Sequence, residues 1–154
     1  MSRLILPKLK SALKSGNSFE WNINGKNTVA EGTLFQFHHD PIFNKKYWDF
    51  IGWTGSMDEG TLHMFGFSIP YINDEPFSKT YTVAEGLSAS YGRAIKLPNG
   101  FIELISISPE GGLLNIEELN PREGFVDGKF NGLFHEKGHL LDVKIKFHLI
   151  RDDQ

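Results

Sequence analysis

The stretch GFVDGKFNGLFHEKGHLLDVKIKFHLI, residues 124–150, decides how this chain folds. Leu141, Val143, Ile145, Phe147 and Leu149 alternate with Asp142, Lys144, Lys146 and His148. That is the period of a strand with one buried and one wetted face. Val126, Phe130 and Phe134 alternate in the same way, with Gly128 and Gly132 between them. A turn at Glu136-Lys137-Gly138 joins the two runs into a long β-hairpin. Matching Phe130 and Phe134 to the apolar face of 141–149 demands an even-numbered loop. In that register His135 and His139 point to opposite faces and cannot share a metal, and His148 lies outside near Asp127 and Lys146.

Upstream the period persists. Phe19, Trp21 and Ile23 alternate with Glu20 and Asn22, and Asn24-Gly25 supplies a hairpin turn. One long strand is predicted from 27 to about 38, stopped by Pro41, which has no N–H for a ladder. Further strands are predicted at 47–54, 61–69, 79–84, 87–97, 101–108 and 112–119, with 71–78 irregular. At Pro98-Asn99-Gly100 the favoured Asn-Gly turn sets Ile95 against Leu104 and Lys96 against Glu103. A three-residue loop would instead set Ile95 against Glu103 and bring Arg93 to Glu103 beside Tyr91.

Residues 7–15, PKLKSALKS, read as a short helix, with Pro7 in its first turn, Leu9, Ala12 and Leu13 on one face and Gly16 at its end. Such a helix would plug an open end of a β structure. The expected fold is therefore all-β: about ten antiparallel strands in a meander over 18–150, closed as a barrel or a two-layer sandwich. One domain spans 1–154. In layout the meander resembles calycin-like small barrels, without a lipocalin or avidin signature, and layout carries no function.

The 154 residues include 13 Phe, 4 Tyr and 3 Trp but no Cys, so disulfides, thiolate metal sites and a Cys nucleophile are excluded. The net charge of −3 is uneven. Arg3, Lys8, Lys10 and Lys14 give the first 19 residues +4, and −3 less +4 leaves −7 on the remainder. A mildly acidic body does not suit a phosphate-tracking surface, so no nucleic-acid partner is expected. The apolar run before Pro7 is too short for a signal-peptide core, and no stretch approaches a membrane span, which points to a cytoplasmic protein.

Motifs for chemistry are sparse. There is no Gly-rich phosphate loop, zincin helix or nucleophile elbow. The carboxylate pairs Asp58/Glu59 and Glu117/Glu118 are adjacent on strands or turns and point apart. No cofactor is implied. His38 and Asp40 share parity at a strand end and, with His63, make a candidate three-ligand metal site. Trp48, Phe50, Trp53, Phe65, Phe67 and Tyr71 concentrate in two consecutive strands and their margin, which makes them the candidate ligand-binding surface. The strands there are apolar on both parities, so either they are covered on both sides or they expose an apolar patch.

The leading expectation is a binding protein without catalysis, recognising another protein or a second copy of itself through an aromatic-rich β surface. A barrel carrying an apolar small molecule is the alternative, and an interior packed by Trp21, Phe35, Tyr91 and Phe130 would exclude it. An enzyme with a polar site at the barrel mouth, built on His38, Asp40 and His63, is the third reading.

Overall fold

The C-terminal alternation is realised as β10 (Phe125–Glu136) and β11 (His139–Ile150). They pair antiparallel from Phe125 opposite Ile150 to Glu136 opposite His139, around a two-residue Lys137-Gly138 turn. Both turn residues have positive φ, 49° and 79°, as a hairpin turn matched to strand twist requires. The structure, a computed structural model, describes residues 15–153. The helix expected over 7–15 lies, but for Ser15, outside the described residues.

Nine further strands complete the fold: β1 (Ser18–Ile23), β2 (Lys26–Val29), β3 (Gly32–Asp40), β4 (Lys45–Thr54), β5 (His63–Pro70), β6 (Phe77–Tyr81), β7 (Ser88–Lys96), β8 (Ile102–Ile107) and β9 (Gly111–Asn120). They form two antiparallel sheets, one ordered β2-β1-β11-β10-β9-β6 and the other β3-β4-β5-β7-β8. The arrangement is a two-layer sandwich and not a closed barrel, and one core lies between the layers.

Two details of the expected segmentation are corrected. The long strand over 27–38 is two strands in different sheets. The chain crosses at Ala30-Glu31, where Ala30 N–H donates to the Phe19 carbonyl and Glu31 N–H to the Trp53 carbonyl. Gly32 permits the crossing, because a Cβ there would overlap the Trp53 indole. At 97–101 the three-residue loop wins: Ile95 opposes Glu103 and Lys96 opposes Ile102. Gly100 N–H donates to the Leu97 carbonyl, and Gly100 takes φ +87°. Pro98 explains the choice. Its fixed φ suits the first corner of a type I turn, whereas a two-residue Asn-Gly turn would put it in the ladder without a donor. Glu103 is exposed and is not opposite Lys96.

Packing follows from face parity. Phe147 stacks on Phe19 at 5.5 Å and on Phe50 at 5.6 Å between ring centroids. Room for it comes from Gly128, its neighbour on β10, and Gly52 makes room for Phe19 in the same way. On the outer face of the five-stranded sheet Ile51, Trp53, Met64 and Ala94 are covered by Leu62 and Met57 from the loop between β4 and β5. The double-sided apolarity of β4 is thus explained by cover on both sides.

After β11 the chain runs along the free edge of β3. Asp152 N–H donates to the Phe35 carbonyl at 2.8 Å. The Asp152 and Asp153 carboxylates accept from the Phe35 and Phe37 N–H groups at 2.8 and 3.0 Å. Arg151 lies over the Trp48 ring at 4.9 Å and holds Asp153 at 2.6 Å.

Candidate functional site

The aromatic set expected to form a surface is mostly interior. Trp48, Phe50, Phe65 and Phe67 belong to the core between the sheets, and Trp53 to the smaller cluster outside β4. Only Tyr71 reaches solvent. It leans on Phe37 and Trp48 and donates its O–H to Asp74 at 2.9 Å. Inward parity buries Trp48, Phe50, Phe65 and Phe67, and loop cover on the outer face buries Trp53, so these rings offer no face to a partner. Trp21, Phe35, Tyr91 and Phe130 are buried in the same core, so these side chains fill interior space that an internal carrier would leave open.

His38, Asp40 and His63 are not brought together. His38 is level with Tyr47 and Pro70 at one end of the sheet, and His63 is level with Thr54 at the other. Seven strand positions separate those levels, about 23 Å at ~3.3 Å per residue. Asp40 instead caps its own turn, accepting from Ile42 and Phe43 N–H. His38 Nδ1 lies 3.7 Å from the buried Asp49 carboxyl, which accepts from the Ser68 hydroxyl at 2.6 Å. Among the described residues no three His, Asp or Glu side chains are placed to hold a metal ion. His135 and His139 do fall on opposite faces. His135 meets Glu110 at 2.5 Å, and His148 meets Asp127 at 2.6 Å.

The end that carries His63 is different in kind. There the inward positions turn from apolar to polar: Lys26 and Thr28 on β2, Thr54 on β4, and His63 and Arg93 on β5 and β7. With Trp21, Ile23 and Tyr91, all of these but Arg93 line a cleft of about 340 Å³. Its floor is aromatic, since Trp21 and Tyr91 are nearly inaccessible and both pack on Phe65, at 5.2 and 4.9 Å.

At the rim His63 Nδ1 lies 3.2 Å from the Tyr91 hydroxyl. Beside them Arg93 forms an ion pair with Glu136 of the opposite sheet, joining the two layers. This is a half-buried Arg-Glu pair beside Tyr91, made with Glu136 and not with Glu103. The Arg93 Nε–H is buried and has no partner among the described residues.

The electrostatics favour a neutral imidazole. Partial burial holds His63 below its ordinary value, and the Arg93 and Lys26 charges add to this against Glu136. Burial pushes the Tyr91 hydroxyl up to about 12, with Glu136 assisting and Arg93 opposing. Where Tyr91 O–H donates to Nδ1, the imidazole carries its proton on Nε2. A cleft with aromatic walls, three hydroxyls, an ammonium group and a neutral imidazole can hold an apolar body and hydrogen-bond an anionic head.

A second groove, about 290 Å³, lies on the outer face of the six-stranded sheet among Glu20, Asn22, Asn27, Lys129, Asn131, Lys144 and Lys146. Phe130 and Ile145 also line it, but both are buried, so what the groove presents to solvent is mostly charged and amide side chains.

The chain matches no protein-family model, no curated protein and no solved structure. The site stands on its own geometry. Among the described residues no helix is long and apolar enough to cross a membrane.

Lys26, Thr28 and Thr54 were invisible in the sequence because two strands of opposite sheets, β2 and β4, deliver them. One signal was present: on inward parity each of these strands turns polar at the same end.

Proposed function

We propose that the protein is a binding domain that takes a small amphipathic molecule into the mouth cleft. The apolar body lies against Trp21 and Tyr91, and a carboxylate or similar anionic head faces Lys26 and His63. The observation that carries this reading is the meeting of two buried aromatic rings with an exposed ammonium and a charge-suppressed imidazole in one concave site. The apolar-ligand reading from sequence is kept in altered form: the ligand enters the mouth of the sandwich instead of a hollow interior. A cytoplasmic setting belongs to the same proposal, and cell fractionation tests it.

The experiment is a chemical-shift titration of the labelled protein with small aromatic carboxylates and with the corresponding neutral amides. Shifts are expected at Lys26, Thr28, Thr54, His63 and Tyr91, larger for the carboxylates, and abolished by Lys26→Glu. Equal responses to acid and amide, or shifts centred on the 129–146 groove, would overturn the reading.

A further inference from the structure

The sandwich has four sheet edges, and three are blunted. β2 is four residues long and carries Lys26. β6 is five residues long, follows Pro76, carries Lys79 and shifts register between Phe77 and Lys79. β3 is covered by the tail through Asp152 and Asp153. Short strands, lysines, bulges and covering segments are the means by which sheets avoid pairing with other chains.

Among the described residues β8 has neither lysine, bulge nor covering segment. Its sequence, IELISI, holds one charge, no lysine and no proline, and its register to β7 is unbroken. No described residue hydrogen-bonds to its outer edge. Phe101, just before it, is 70% exposed.

We propose that β8 pairs antiparallel with β8 of a second copy, joining two five-stranded sheets into one. Strand opposition across a two-fold axis preserves face parity, so only residues of equal parity meet. The register that sets Leu104 opposite Leu104 also sets Ile102 opposite Ser106 and Phe101 opposite Ile107. Glu103 then faces Ile105, whereas a shift of one position about the axis would put Glu103 opposite itself. This self-matching pattern selects a second copy over a foreign peptide, because apolar side chains meet on both faces and no like charges are opposed. A six-residue edge is small by the standard of obligate interfaces, so the dimer forms with concentration.

The absence of cysteine from the chain makes the register directly testable. Opposed Cα atoms in an antiparallel pair lie about 4.5–5.5 Å apart, within disulfide range. Under mild oxidation Leu104→Cys is expected to give a covalent dimer severalfold faster than Ser106→Cys, which faces Ile102 instead of itself. Light scattering of the unaltered full chain should show mass rising towards double with concentration. Leu104→Lys, with strand content checked by circular dichroism, should stay monomeric. A full chain that remains monomeric at millimolar concentration overturns the proposal. So does equal cross-linking of the two cysteine variants, or a folded Leu104→Lys protein that still doubles its mass.

Discussion

The hydroxyl of Tyr91 and Nδ1 of His63, 3.2 Å apart, tie β7 to β5 at the mouth of the sandwich. One partner is a phenol that resists ionisation, and the other is an imidazole that resists protonation. Both effects start from burial, and the Arg93–Glu136 pair acts on each with opposite sign.

The charges around His63 make its titration adjustable in both directions. Lys26→Met removes a cation that lowers the imidazole and should raise its midpoint. Glu136→Gln removes an anion that raises it and should lower the midpoint. A proton NMR titration of the ring, assigned with His63→Gln, reads both. The folded value lies below the unfolded 6.5, so His63 contributes stability above that pH. The contribution is lost as pH falls from there through the folded value.

Tyr91 sets an alkaline limit. Its folded value of about 12 exceeds the unfolded 10.0, so its contribution is complete below pH 10 and lost as pH rises through the folded value. The urea midpoint of the unaltered chain should fall across that window, and Tyr91→Phe should flatten the fall.

A methyl group at Gly52 has nowhere to go, because its Cβ would overlap the Phe19 ring. Gly52→Ala should cost about 1–3 kcal/mol through overpacking. Gly111→Ala, where a Cβ meets open space at ordinary φ, should leave the urea midpoint unchanged or slightly raised.

The Ser68 hydroxyl serves the buried Asp49 carboxyl at 2.6 Å. Ser68→Ala removes that donor and should cost about 1–3 kcal/mol in urea unfolding. An unchanged midpoint would show that other groups around Asp49 suffice.

The fold was legible where one residue in two faces the core. Residues 124–150 gave strands, turn and face together, because burial and period agree along all of β10 and β11. Legibility failed where backbone chemistry outranked the dipeptide rule. Asn99-Gly100 is the favoured hairpin turn, yet the missing N–H of Pro98 forced the longer loop. It also failed where the chain changed sheets. The residues around Ala30 and Glu31 keep a strand-like look, and nothing local says that β2 and β3 belong to opposite layers. Of the site, His63 was visible as a titratable group but was assigned the wrong neighbours. Its companions come from β1, β2, β4 and β7, and only the pairing of those strands sets them side by side.

The clasp of Asp152 and Asp153 on β3 has a consequence for assembly. With that edge occupied, the described residues leave the five-stranded sheet a single free side, and joining through β8 stops at two copies. A chain cut before Asp152 would offer two dissimilar free sides, each able to receive the other from a further molecule. Nothing would then close the series, and growth would run on as a filament. On the proposed pairing Asp152 and Asp153 act as a terminator, setting the difference between a pair and a fibre.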